Sequence, residues 1–131
     1  MKLGHYQRFS SEKAVSLRFS VINSDPIKIA GGAKCLASPE HETDREFVLE
    51  QIRKSMRLHG TGHVILMLHS DCGACGGLAG GFHGDTCAEA EHHHAGLRRA
   101  AANLTNAIPG IQVEEYFGDF EGVWQAELEA A

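Results

Sequence analysis

The segment HVILMLHSDCGACGG, from His63 to Gly77, carries the strongest indication of the fold. Its opening segment, His63–His69, is apolar at five consecutive positions. It predicts a buried β-strand that is central in a parallel sheet and covered on both faces. The glycine-containing turn that follows carries Cys72 and Cys75. Because residues at the carboxyl ends of parallel strands face the crevice in which α/β proteins hold ligands, this turn is the candidate functional site.

The sequence on either side predicts alternating strands and helices. The predicted elements are a short strand Ile27–Ala30, a helix Asp44–His59 capped by Thr43 or Asp44, a helix Cys87–Ala107 and a strand Ile111–Phe117 nearer a sheet edge. With the strand His63–His69 between the helices, this order predicts an α/β fold with a mostly parallel sheet flanked by helices. The segment Ala14–Ile22 fits a strand and a helix equally well. We expect a single domain over residues 1–131.

Composition narrows the function classes. Twelve Lys and Arg stand against seventeen Asp and Glu, and 43% of the residues are hydrophobic. This balance is typical of a globular protein and argues against a nucleic-acid partner, because no basic stripe is present to neutralise phosphates. The longest apolar run, Val64–Leu68, is too short to span a membrane. The first residues lack the apolar core of a secretory signal, so we expect a cytoplasmic protein.

Cysteine and histidine are the unusual feature of the chain, with four cysteines and nine histidines. Without an export signal, reduced thiols in metal or redox chemistry are favoured over disulfides. A thiolate and an imidazole spaced as His69–x–x–Cys72 suit tetrahedral zinc, and Cys75 or Cys35 is a possible third ligand. Both of these could instead be packed residues. The spacing Cys72–x–x–Cys75 also fits a thiol/redox protein.

Two further segments carry weaker signals. The turn AGGAK, Ala30–Lys34, contains glycines that allow a close backbone approach to a ligand. We therefore expect Ala30, Gly31, Gly32 and Gly73 to line a substrate pocket. The run His92–His94 points in several directions on its helix, and a solvated helix face is the favoured interpretation.

These motifs resemble those of a known family. VILMLHSDCGACGG, Val64–Gly77, looks like the second zinc motif of beta-class carbonic anhydrases. KIAGGAK, Lys28–Lys34, resembles the Arg–Asn–Ala–Gly segment on that family's preceding strand. The resemblance covers roughly residues 25–122. It implies a Zn²⁺ ion held by Cys, His and Cys with one open position for water, and reversible hydration of CO₂ to bicarbonate. His69 and Cys72 carry over as ligands.

The family's first motif, Cys–x–Asp–x–Arg, is not found. The best register places Arg8 at its Arg, as a candidate catalytic residue, and leaves Gly4 and Tyr6 at the other positions. We therefore expect residues 1–24 to be divergent or truncated. Three functions stay open: a zinc-dependent carbonic anhydrase, a catalytically degenerate zinc-binding protein of the same fold, and a thiol/redox protein. The resemblance also implies a homodimer or higher homo-oligomer.

Overall fold

The computed structural model describes residues 6–8, of which only the backbone is described, and residues 24–126. The segment Ala14–Ile22 lies outside this part of the chain. The described elements, in chain order, are β1 (Tyr6–Arg8), α1 (Lys34–Ala37), α2 (Glu42–His59), β2 (His63–His69), a 3₁₀ turn (Gly73–Cys75), a π turn (Gly77–Gly81), α3 (Thr86–Ala107), β3 (Gln112–Asp119) and β4 (Gly122–Ala126). None of the described helices is both long enough and apolar enough to cross a membrane.

The described strands form one mixed sheet in the order β1-β4-β3-β2. The predicted α/β class is confirmed. A mostly parallel sheet is not confirmed, because β2–β3 is the one parallel pair in this sheet and the other two pairs are antiparallel. The reason is a tight hairpin after β3. Asp119 Oδ1 accepts hydrogen bonds from the N–H groups of Glu121 and Gly122, which reverses the chain directly into β4.

Strand β2 has the predicted bounds but not the predicted surroundings. It lies at one edge of the described sheet, while β3, predicted nearer an edge, lies between β2 and β4. Leu66 and Leu68 are buried on the face that α3 covers. On the opposite face Ile65 is 37% exposed and Met67 48% exposed. The prediction of a strand covered on both faces is therefore wrong for this side of β2.

The two long helices are confirmed to within two residues at each end. Helix α2 carries acidic residues in its first turn, and Gly60 ends it in the left-handed conformation at φ +68°. Its N-cap is His41 rather than Thr43 or Asp44. Helix α3 begins after Asp85, whose side chain accepts hydrogen bonds from the first-turn N–H groups of Cys87 and Ala88.

The predicted strand Ile27–Ala30 is wrong. Residues 24–29 form no strand, and residues 24–30 are exposed. The chain meets β2 only afterwards, where the Ala33 N–H donates to the Met67 carbonyl at 3.2 Å. Gly32 makes this approach possible: its φ is +52°, and a Cβ there would lie 2.6 Å from the Met67 oxygen. The glycine turn therefore fixes α1 against the end of β2.

Candidate functional site

The site is the loop that leaves β2, and backbone hydrogen bonds hold it in place. The Ser70 N–H donates to the Gly118 carbonyl at 2.8 Å, which extends the β2–β3 pairing by one bond. The Cys72 carbonyl then accepts from the N–H groups of Cys75 and Gly77. These bonds fold the sequence after the strand into a compact turn that contains both cysteines.

Glu89 of α3 anchors the same loop from the helix side. Its side chain is 1% exposed, and Oε2 accepts a hydrogen bond from the Asp71 N–H at 2.8 Å. Asp71 has the left-handed φ of +54°, and its Oδ1 accepts from the Leu78 N–H at 2.9 Å. Aspartate tolerates this conformation better than most residues, because its short side chain bonds to nearby backbone. The pair links α3 to the residue directly before Cys72.

His69 is the last residue of β2, and its side chain is exposed. Its Nδ1 lies 2.8 Å from the Ser70 carbonyl oxygen. A carbonyl can only accept, so Nδ1 carries the hydrogen in this contact. In the neutral ring the lone pair is then on Nε2, which is the arrangement of a metal-binding histidine.

Cys72 and Cys75 are brought together by the 3₁₀ turn between them. Cys72 is 3% exposed, and the Cys75 thiol hydrogen-bonds to its sulfur. Burial, followed by this hydrogen bond, raises the pKa of Cys75 to about 11. Lys34 and Glu89 lie close enough to act on the same thiol with opposite sign. Both thiols are free rather than joined in a disulfide.

His93 lies next to this loop on α3. It is 1% exposed, and its ring lies 5.5 Å from that of Phe117 and 6.1 Å from that of Phe82. Burial, followed by the charges of His92 and His69, lowers the pKa of His93 to about 4. The interpretation of His92–His94 as a solvated face is therefore wrong for His93 and His94, which are both buried.

The other predicted site residues lie elsewhere. Cys35 is in α1, where burial raises the pKa of its thiol and the charges of Asp44 and Arg45 of α2 act on it with opposite sign. Arg8 ends β1, at the opposite edge of the described sheet from β2. Arg8 pairs with Trp124, Trp124 with Phe117, and Phe117 with Leu68. The backbone of Arg8 is therefore three strand spacings, roughly 14 Å, away from that of Leu68 in β2.

The predicted pocket residues surround the turn rather than a cavity. A Cβ at Gly31 would lie 3.3 Å from the Ala74 Cβ, so the glycine turn packs on the 3₁₀ turn. Ala30 and Gly73 are exposed. A pocket of about 70 Å³ lies between α1 and α3, and its lining includes Cys75 but none of these four residues.

The donor types at the loop suit zinc, but their arrangement is incomplete. An imidazole nitrogen and thiol sulfurs are borderline and soft ligands of the kind that zinc prefers. Within residues 24–126, however, no three or more His, Cys, Asp or Glu side chains are grouped so that they could hold a metal ion. The described residues thus supply parts of a zinc site and not a full ligand set.

Fold and site together define a mixed α/β protein with a His–x–x–Cys loop at the carboxyl end of a parallel-paired strand. A family model described as "Putative carbonic anhydrase" matches residues 8–128. The chain belongs to this family, as the resemblance predicted. No curated protein and no solved structure gives a significant match.

Sequence reasoning missed three residues that shape the site. The sequence carries no signal for the bond that Glu89 accepts from the Asp71 backbone. Sequence reasoning named neither Lys34 nor Arg99 as a functional residue, although both line the pocket. The spacing of His92, Gly96 and Arg99, at i, i+4 and i+7 on one helix face, is the signal that could have found this wall.

Proposed function

We propose that the chain is a zinc-dependent carbonic anhydrase that hydrates CO₂ reversibly to bicarbonate, with His69 and Cys72 as zinc ligands. The observation that carries the proposal is the family match over residues 8–128, within which these two donors flank the loop after β2. A bound zinc ion supplies the Lewis acidity that makes water a nucleophile near neutral pH.

The chain's own residues prepare this loop for a ligand. The contact of His69 Nδ1 with the Ser70 carbonyl orients the imidazole, and Glu89 fixes the backbone before Cys72. Cys72 is shielded from water, which strengthens electrostatic interactions at its sulfur. As third ligand we propose Cys75 ahead of Cys35, because the Cys75 sulfur already contacts Cys72.

The test combines metal analysis with a stopped-flow CO₂ hydration assay on protein purified with zinc present. We expect one zinc ion per chain and a hydration rate above that of buffer. The Cys72→Ser and His69→Ala variants should lose both. Cys87→Ser is the matched control, because Cys87 is exposed on α3, and it should keep both. Wild-type protein without zinc, or full activity in Cys72→Ser, would refute the proposal.

The same assay separates the catalytically degenerate alternative. That protein would hold zinc stoichiometrically, lose it in Cys72→Ser, and show no hydration rate above buffer. The incomplete donor set of the described residues is the observation that favours this alternative.

A dithiol function is the second candidate, and the sulfur contact between Cys72 and Cys75 favours it. In this reaction a low-molecular-weight disulfide accepts two electrons and leaves as two thiols, while Cys72 and Cys75 lose their hydrogens and join. Mass spectrometry of protein treated with such a disulfide should then show the loss of two hydrogen atoms between these residues. A stable mixed disulfide that Cys75 never resolves would contradict this candidate.

We also propose a homodimer or higher homo-oligomer in the cytoplasm, a compartment that keeps thiols reduced. The exposed side chains Ile65 and Met67, on the sheet face opposite α3, support self-association. Light scattering during size-exclusion chromatography should give a mass of at least two chains. A single-chain mass over the whole accessible concentration range would contradict it.

A further inference from the structure

Strand β2 has one edge that no strand in the described part of the chain covers. The backbone groups of successive residues in a strand point to opposite edges. The Ser70 N–H donates to the β3 side, whereas the Met67 carbonyl accepts from the Ala33 N–H on the other side. Ile65, two residues before Met67, therefore directs its N–H and its carbonyl to the uncovered edge. Such an edge is a template for one more strand.

The sequence of β2 indicates that this edge has a partner in the folded protein. Proteins protect exposed strand edges with Lys, Pro or β-bulges. The strand His63–His69 contains neither Lys nor Pro, and it pairs with β3 without a bulge over all seven residues. An apolar edge without these devices favours pairing with another strand.

Residues 24–126 begin beside the amino end of this edge. Ser55 Oγ donates to Asp25 Oδ2 at 2.6 Å and lies 2.8 Å from Thr61 Oγ1. Thr61 is two residues before His63, the first residue of β2. These contacts fix Asp25 close to the start of β2, so the residues directly before Asp25 reach the sheet at that end.

Strand β1 leaves the sheet at the opposite corner. It runs in the same direction as β2, because two antiparallel pairings and one parallel pairing separate the two strands. Its last residue, Arg8, is level with Leu68 near the carboxyl end of β2. Residues 9–23 therefore connect one edge of the sheet to the other, and the carboxyl end of β2 to its amino end.

The sequence of this connection has the length and pattern of a strand. The segment Val15–Val21 has seven residues, as β2 has, and every second one is apolar. This alternation is typical of a strand with one buried face. The six residues between Arg8 and Val15 reach about 20 Å when extended, more than the roughly 14 Å between the backbones of Arg8 and Leu68. Asn23 and Ser24, which follow the segment, are common turn residues.

We propose that the uncovered edge of β2 binds the segment Val15–Val21 of the same chain as an antiparallel strand. The direction follows from the two ends, because the connection starts at the carboxyl end of β2 and finishes at its amino end. A segment tethered on both sides has an effective concentration on the order of mM, which favours it over a second copy of the chain. The inference does not depend on zinc, since it uses neither His69 nor Cys72.

The test is NMR spectroscopy of the ¹³C,¹⁵N-labelled full-length chain. We expect strong nuclear Overhauser contacts between Hα atoms of residues 15–21 and of residues 63–67, because Cα atoms of antiparallel neighbours approach to about 4.5 Å. The Ile65 amide should exchange with solvent at least about 100-fold more slowly than an exposed loop amide, since exchange then requires the added strand to open.

Two proline variants assign the protection to this segment. Phe19→Pro places a residue that disrupts pairing in the middle of the segment, so exchange of the Ile65 amide should accelerate about tenfold or more. Ser11→Pro is the matched control, because it lies before the segment, and it should leave this exchange unchanged. The Leu66 amide points to β3, so its slow exchange in both variants checks that the sheet is folded.

Three results would overturn the proposal. One is exchange of the wild-type Ile65 amide as fast as that of an exposed loop. Another is a set of contacts between residues three and four apart within 14–22, which would make the segment a helix. The third comes from a mixture of labelled and unlabelled chains: contacts to β2 that join different molecules would show that a second copy covers the edge.

Discussion

The contact between Glu89 and the Asp71 backbone can be tested by removing its carboxylate. Glu89→Ala loses a hydrogen bond to a charged group, which contributes about 2 kcal/mol, and one buried methylene, which contributes about 0.8 kcal/mol. The Glu89 side chain is almost fully buried and the bond is 2.8 Å long, so neither contribution is strongly screened. We therefore expect the free energy of unfolding to fall by about 3 kcal/mol.

Urea unfolding followed by circular dichroism measures this change, provided that the transition is two-state with an unchanged slope. Glu89→Gln keeps an acceptor oxygen and the methylene, so it should cost only about 1 kcal/mol. Glu91→Ala, an exposed position on the same helix, should change stability by less than about 0.5 kcal/mol. Hydrogen exchange of the Asp71 amide should accelerate in Glu89→Ala but not in Glu91→Ala.

Unchanged stability of Glu89→Ala would contradict this expectation. If Glu89→Ala is as stable as wild type, or more stable, the cost of burying the carboxylate outweighs the hydrogen bond it accepts. The loop would then be held by its backbone bonds alone.

Three further changes test the packing around the site. Arg98 Nη1 lies 3.2 Å from Glu115 Oε2, and the side chains are 36% and 5% exposed, so solvent partly screens the pair and Arg98→Ala should cost about 1 kcal/mol at pH 7 in urea unfolding. A gain in stability would contradict this. Burial raises the pKa of Glu115 above its ordinary 4.5, and Arg98 partly opposes this rise. The stability that the protonated Glu115 carboxyl contributes is therefore lost as the pH rises through its pKa in the folded state. Glu115→Gln should therefore gain stability relative to wild type as the pH rises above 4.5, and a difference that does not vary with pH would count against it. Gly32→Ala should lower the free energy of unfolding by about 2 kcal/mol, because φ is +52° and the new Cβ would lie 2.6 Å from the Met67 oxygen. In the control Gly62→Ala, the new Cβ meets nothing within 4 Å, so the thermal midpoint should stay nearly unchanged. Equal effects of the two substitutions would argue against the close approach.

Local patterns predicted the elements well because each carries its own signal. The apolar run His63–His69 and the helix ends at Gly60 and Ala107 follow from propensity and capping. The strand Ile27–Ala30 failed because an extended apolar segment becomes a strand only when a neighbour pairs with it, and the glycine turn brings the chain to β2 too late for that.

Sheet order was less predictable, since it depends on contacts far apart in the sequence. The hairpin at Asp119 places β4 beside β3, and no residue pattern within Ile111–Phe117 predicts this hairpin. At the site, the cysteine pair was visible from its spacing. The burial of Glu89 and His93 was not, because a helix sequence shows which residues share a face but not what that face meets.

Helix α3 touches both the loop after β2 and the pocket beside α1, and His93 lies where the two meet. Occupancy of one place is therefore thermodynamically linked to occupancy of the other whenever His93 changes position or hydrogen bonding. Such linkage is reciprocal: a molecule in the pocket that strengthens ligand capture at the cysteine loop is itself held more tightly by the same factor.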